Sequence, residues 1–136
     1  MRKQKVLFVC THNACRSQIA EGLLNSLYGE RYEAYSAGTA PSRVNPYSIK
    51  VMAEIGLDIS RHISKSLKVF EGKEFDFIVT VCDSAGKGCP VFPGASKRLH
   101  WGLPDPSKVN GSEEEILDVF RKVRDEIKEN IIEVFK

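Results

Sequence analysis

Cys10-Thr11-His12-Asn13-Ala14-Cys15-Arg16-Ser17 sets a thiol and a guanidinium apart by five residues. With four cysteines and eight arginines in 136 residues, that spacing alone says little. Its setting says more. An apolar run precedes the segment and a helical pattern follows it, so it joins a strand to a helix. In such a loop, consecutive backbone N–H groups curl around one oxyanion, and the helix N-terminus adds partial positive charge. Arg16 supplies a planar fork matched to two oxygens of a tetrahedral anion. Cys10 lies at the centre of this positive setting, which favours the nucleophilic thiolate. Ser17 is placed to donate its hydroxyl to the sulfur. No Gly-Lys-Ser/Thr is present, so this is not a nucleotide P-loop. The competing reading is a plain strand–helix connection carrying a surface arginine.

Attack on an oxyanion also needs a proton donor, because the leaving oxygen must depart protonated. Leu103-Pro104-Asp105-Pro106 offers one. The two prolines stiffen the loop around Asp105 and keep it out of a helix. By spacing alone, an ordinary turn aspartate beside proline is the better reading. The remaining thiols sit at Cys15, Cys82 and Cys89. There is no CxxC pair and the spacings do not suit zinc, so no metal and no cofactor is expected. In a reducing compartment permanent bridges are not expected either. The bland reading of the four cysteines is small buried hydrophobes.

The elements that would hold these residues follow from hydrophobic pattern. Val6 to Cys10 is a short continuous apolar run, read as a strand buried on both faces. From about Ser17 the pattern turns helical, with Ile19, Ala20, Leu23, Leu24 and Leu27 in one stripe and Gly29 as the stop. Tyr32 to Ser36 is a weaker strand, ended by Gly38. Asn45-Pro46 reads as an N-cap with proline at the first helical position. Ile49, Met52, Ala53 and Ile55 follow, and Gly56 caps the C-terminus. Phe77 to Cys82 is a second buried strand, and Ser96 to Trp101 a short last one. Ser112 to Glu115 is a capping box. Ile116, Phe120, Val123, Ile127, Ile131 and Val134 then recur at helical spacing.

Strands alternating with helices imply a mostly parallel sheet, with sites outside the carboxyl ends of its strands. Cys10 and Cys82 each end an apolar strand. Were those strands neighbours, the thiols would lie about one strand spacing apart, roughly 5 Å.

Composition limits the rest. Length suits one domain spanning 1–136. Hydrophobic residues at 42% and charged residues at 28% are ordinary for a globular chain. A net charge of +2 is no argument for a nucleic-acid or membrane partner. No apolar run is long enough to span a bilayer or act as a secretory signal, so a cytoplasmic location is expected.

The loop with Gln18 and Ala20-Glu21-Gly22 resembles the low-molecular-weight tyrosine phosphatase superfamily, and within it the thioredoxin-coupled arsenate reductases. The resemblance continues through Tyr35-Ser36-Ala37-Gly38, Asp58-Ile59-Ser60-Arg61-His62, Val79-Thr80-Val81-Cys82, Cys89-Pro90 and His100-Trp101-Gly102-Leu103-Pro104-Asp105-Pro106. It covers essentially the whole chain. It implies an α/β fold with a four-stranded parallel sheet of order 2-1-3-4, flanked by helices on both faces.

The resemblance also implies roles. Cys10 attacks arsenate held by the loop (Thr11, His12, Asn13, Ala14, Cys15, Arg16 and Ser17). Asp105 protonates the departing oxygen. Cys82 then attacks Cys10, arsenite leaves, and Cys89 resolves the Cys10–Cys82 disulfide. Thioredoxin reduces Cys82–Cys89. Asn13, Ser17 and Ser36 brace the loop. The implied partners are arsenate, with phosphate or sulfate as mimics, and thioredoxin; a monomer is expected. His12 is expected to be a polar loop residue without a catalytic role, and Cys15 to point inward. Some reductases of this type hold potassium near the positions of Asn13, Glu21 and Ser36, helped by an acidic residue where this chain has Lys65. With an ammonium there, no potassium dependence is expected.

A helical segment would set the Cα atoms of Cys82 and Cys89 about 10 Å apart at 1.5 Å per residue. A disulfide needs roughly 4.4–6.8 Å. Residues 83–92, with Gly86, Gly88 and Pro90, are therefore expected to be irregular or to rearrange. The alternative activity is protein tyrosine phosphatase, which shares the loop, Arg16 and Asp105. Such phosphatases usually follow the acid with aromatic residues, where this chain has Ser107 and Lys108. A non-enzymatic alternative is an anion-binding or redox-sensing module that needs the loop but not Asp105.

Overall fold

The apolar run of the first strand suits an interior place in the sheet, with a neighbour on each side. The computed structural model describes residues 2–81 and 95–136. The elements are β1 (Gln4–Cys10), α1 (Arg16–Tyr28), β2 (Tyr32–Gly38), α2 (Pro46–Ala53), β3 (Phe75–Thr80), β4 (Ala95–His100) and α3 (Glu113–Phe135). Single 3-10 turns occupy Leu67–Phe70 and Pro106–Lys108. The four strands are parallel and ordered β2-β1-β3-β4, as expected. Register brings Cys10 opposite Gly38 and Val9 opposite Thr80. One residue further on, Val81 N–H donates to the Val9 carbonyl at 2.9 Å. The carboxyl ends of β1, β2 and β3 thus share one edge of the sheet.

Alternation along β1 divides the interior into two parts. Val6, Phe8 and Cys10 join a larger core with Ile19, Leu23, Met52, Phe120, Ile127 and Phe135, to which α1, α2 and α3 all contribute. Leu7 and Val9 face the other way, onto Ala37, Phe70, Phe75 and Ile78. Among the described residues, the turn Leu67–Phe70 covers that second face. Burying each such large side chain contributes about 1.5–3 kcal/mol. Phe135 closes the larger core, with its ring 5.1 Å from Tyr32, 5.2 Å from Phe77 and 6.4 Å from Phe8.

Local signals held where covalent pattern decides. Asn45 accepts from Tyr47 N–H at 2.8 Å and caps α2. Ser112 and Glu115 form the reciprocal capping box. Gly56 takes φ +80°, a left-handed cap after α2.

Packing overrode the pattern elsewhere. Leu27, expected in the buried stripe of α1, is 38% exposed. The inward face of α2 is Ser48, Val51 and Met52, while Ala53 and Ile55 point outward. An eight-residue helix is too short for periodicity to set its rotation, so contact with α3 does. In α3 the buried terminal residue is Phe135, and Val134 faces out. β3 ends at Thr80. Cys82, Cys89 and the expected rearrangement of residues 83–92 lie outside the described residues. No described helix is long and apolar enough to cross a membrane.

Candidate active site

Between β1 and α1 the chain turns through residues 11–15, with Asn13 at φ 51°. Asparagine tolerates this left-handed conformation better than most residues. The loop carbonyls are all engaged from outside. Ala40, Ser42 and Asn45 N–H groups donate to the carbonyls of Thr11, His12 and Ala14 at 2.8, 3.3 and 3.0 Å. Gln18 Nε2 donates to the Asn13 carbonyl at 3.1 Å. Pinning the carbonyls outward leaves the loop N–H groups for the concave side, beside the N-terminus of α1. Gly38 lies flush beneath the loop. A Cβ there would sit 2.4 Å from the Thr11 carbonyl and 2.9 Å from Asn13 N.

A hydrogen-bond chain runs to the sulfur. Asn13 Oδ1 accepts from Lys65 N–H at 2.8 Å and from Gln18 Nε2 at 2.9 Å. Those donors orient the Asn13 amide, so its Nδ2 donates to Ser17 Oγ at 2.8 Å. The Ser17 hydroxyl proton is then free to donate to Cys10 Sγ at 2.8 Å. Gln18 is fixed in turn: its Nε2 meets carbonyls, so its Oε1 accepts from His62 Nδ1–H at 3.0 Å. That bond assigns the His62 tautomer. Asn13, Ser17 and Gln18 are completely buried. Ser36, expected to brace the loop, donates to Glu21 Oε1 at 2.6 Å instead. The other Glu21 oxygen lies 3.4 Å from His62 Nδ1. The link from Ser36 to the loop is therefore indirect. Lys65 Nζ stands 4.0 Å from Glu21 Oε1 and donates to the Ile63 carbonyl at 2.9 Å.

Arg16 ties the loop to the acidic segment. Its Nη1 donates to the Leu103 carbonyl at 3.0 Å, and its Nη2 is 3.7 Å from Asp105 Oδ2. Arg16 Nε is buried and has no hydrogen-bond partner among the described residues. Asp105 Oδ1 accepts from Ser107 N–H at 3.0 Å and from the Ser107 hydroxyl at 2.7 Å. Burial pushes the Asp105 carboxyl up, but the Ser107 bonds and the charges of Arg16 and Lys108 outweigh it and hold it below its ordinary value. Cys10, His12, Ala14, Cys15, Arg16, Asp105 and Ser107 line one small pocket. A broader depression bordered by Arg2, Lys5, Lys73 and Asp76 lies at the opposite ends of the strands, and its described lining contains no cysteine.

Cys15 faces inward and is 5% exposed. Burial pushes its thiol up to about 12; Ser48 pulls it down, Asp105 and Cys10 add to the rise, and Arg16 lowers it slightly. It stays a thiol at neutral pH and does not compete with Cys10. His12 is exposed, and its Nδ1 donates to the Ala40 carbonyl at 3.0 Å. Among the described residues, no group of three potential metal ligands forms.

The structure therefore brings Cys10, Arg16, Ser17, Asn13 and Asp105 together. Gln18, His62 and Ser107 were missed as parts of the site. His62 is 44 residues from Gln18, and no spacing rule announces such a contact. Ser107 had a signal: a hydroxyl two residues after an aspartate is a common side-chain partner in turns.

Residues 5–136 match the family described as low molecular weight phosphotyrosine protein phosphatase. The chain is 44% identical over 131 residues to an arsenate reductase of Halalkalibacterium halodurans, covering 96% of this chain and 94% of that one. A solved arsenate reductase in the phosphate binding state superposes with a TM-score of 0.82 at 32% identity, covering 96% of this chain and 95% of its own. A thioredoxin-dependent arsenate reductase of Corynebacterium glutamicum superposes with a TM-score of 0.66 at 31% identity, covering 94% of this chain and 60% of its own.

Proposed function

The chain belongs to the low molecular weight phosphotyrosine protein phosphatase family, and from that premise we propose that it is an arsenate reductase with Cys10 as nucleophile. One observation carries the reading. Cys10 Sγ lies 2.8 Å from the Ser17 hydroxyl oxygen in a pocket with Arg16 and Asp105, and the described lining of that pocket contains no phenylalanine, tyrosine or tryptophan. A small inorganic oxyanion suits such a lining better than a phosphotyrosine ring. The arsenate reductases similar along nearly the whole chain support the same substrate.

In the proposed first step, loop N–H groups and Arg16 hold a dihydrogen arsenate monoanion. Asp105 is ionised in the resting protein at neutral pH. The negative charge of the bound anion raises the proton affinity of Asp105, so the proton it needs arrives with the substrate. The Cys10 thiolate forms an S–As bond as an As–O bond breaks. The leaving hydroxyl takes the Asp105 proton and departs as water.

Reduction falls to the cysteines outside the described residues. The Cys82 thiolate attacks Cys10 Sγ, and the S–As electron pair passes to arsenic. Arsenic leaves as arsenite, and a Cys10–Cys82 disulfide remains. Cys89 attacks Cys82 and releases Cys10, and a dithiol protein of the thioredoxin type reduces Cys82–Cys89. The thioredoxin-dependent relative supports that donor.

The test is arsenate-dependent NADPH consumption with thioredoxin and thioredoxin reductase. Wild type is expected to turn over. Cys89→Ala is expected to stop after one turnover with Cys10 and Cys82 bridged, read by mass spectrometry of the trapped protein. Hydrolysis of phosphotyrosine at full rate by a Cys82→Ala, Cys89→Ala double variant, without arsenate turnover by wild type, would establish the phosphatase instead.

A further inference from the structure

Building on the arsenate reading, we propose that Ser107 is a positioning residue for the acid: it grips one carboxylate oxygen of Asp105 and thereby selects the other as the proton carrier. Asp105 Oδ1 accepts two hydrogen bonds, from Ser107 N–H at 3.0 Å and from the Ser107 hydroxyl at 2.7 Å. A carboxylate oxygen has two lone pairs, so both on Oδ1 are engaged. A proton reaching the carboxylate therefore settles on Oδ2. That oxygen is the one beside Arg16, 3.7 Å from Nη2, and Arg16 lines the nucleophile pocket.

The backbone bond alone would cap the turn Pro106–Lys108. The hydroxyl bond is additional, and the turn does not need it. Ser107 itself lines the pocket, so it holds the acid from the rim while Pro104 and Pro106 stiffen the chain on either side. The charged and titratable groups facing Asp105 are Arg16 from the start of α1, Cys10 and Cys15 from the loop, His12 on the same pocket, and Lys108 from its own turn. Ser107 is the group among these contacts that distinguishes the two oxygens by direct bonding.

The test compares Ser107→Ala, Ser107→Val and Ser107→Thr in two readouts. The first is single-turnover arsenite formation without external reductant, which keeps disulfide recycling out of the rate. Ala and Val are expected to lower the limiting rate about five-fold with the arsenate KM within about two-fold, and Thr to stay near wild type. The alkaline limb of the pH–rate profile is expected to move to higher pH in Ala and Val, because the hydroxyl favours the ionised acid. In an Asp105→Asn background the Ser107 changes are expected to cost nothing further. The second readout is the Asp105 carboxyl carbon resonance in the resting protein, which should titrate at higher pH in Ala and Val but not in Thr.

An Asp105 titration identical in wild type and Ser107→Ala overturns the inference, whatever the substrate. So does a full additional loss in the Asp105→Asn background. A protein that makes no arsenite yet shows the shifted Asp105 titration supports the Ser107 pairing and overturns the arsenate reading.

Discussion

Lys65 illustrates what one side chain changes. Its ammonium stands 4.0 Å from Glu21 Oε1, and its backbone N–H donates to Asn13 Oδ1 at 2.8 Å. The residue thus brings positive charge to the carboxylate behind the loop and orients the amide that feeds Ser17. A second cation near Glu21 would meet the ammonium in a partly buried setting, where repulsion is weakly screened. Arsenate turnover is therefore expected to be the same in potassium and sodium at fixed ionic strength. A specific, marked rise with potassium in steady-state assays would contradict this.

At the scale of elements, the loop is shaped by what lies behind it. β2 ends in Gly38 directly beneath Thr11 and Asn13, and Gly38 N–H donates to the Lys65 carbonyl at 2.9 Å. The nearest atoms to an added Cβ are backbone, which cannot swing aside as a side chain does. Gly38→Ala is expected to push the loop from its anion-holding shape. Turnover should fall on the order of ten-fold or more, with phosphate affinity falling too, while the fold survives. Calorimetric titration with phosphate, beside circular dichroism, checks both parts. Unchanged phosphate binding would show that the loop does not rely on that close approach. The α2–α3 contact has its own fastening, since Glu54 accepts from Arg121 and Arg124 at 2.8 Å each.

For the whole molecule, four carboxyls among the described residues are held below their ordinary range and contribute to the response to acid. Glu54 is lowered by hydrogen bonding to Arg121, Asp58 by Ser60 and Glu115 by Ser112. Asp105 is lowered on balance despite its burial. Each has a folded value below its unfolded one. Their stabilisation is therefore present above the ordinary carboxylate range, about 4, and is lost as pH falls through the folded values. The melting temperature is expected to be level from about pH 7 to about 5 and to decline below about 4. Thermal unfolding followed by circular dichroism across that range checks it. A melting temperature that rises on acidification would mean that these carboxyls are not held ionised by the fold.

Much of this protein is legible in one dimension. The apolar run into Cys10, the helical stripe after Arg16 and the capping box at Ser112 are decided by covalent geometry and short-range periodicity. Together they specify a strand–loop–helix unit suited to an oxyanion. Spacing left Asp105 indistinguishable from an ordinary turn residue; the Arg16–Leu103 bond, across 87 residues, brings the acid segment to the loop. Tertiary packing likewise turned α2 onto Val51, buried Phe135 in place of Val134, and joined His62 to Gln18 across 44 residues. These contacts have no local signature, because they exist only when distant segments share one interior. The residue types capable of attacking an anion were therefore readable from the chain. The hydrogen bonds that reach Cys10, and the Asp105 oxygen set beside Arg16, required the folded arrangement.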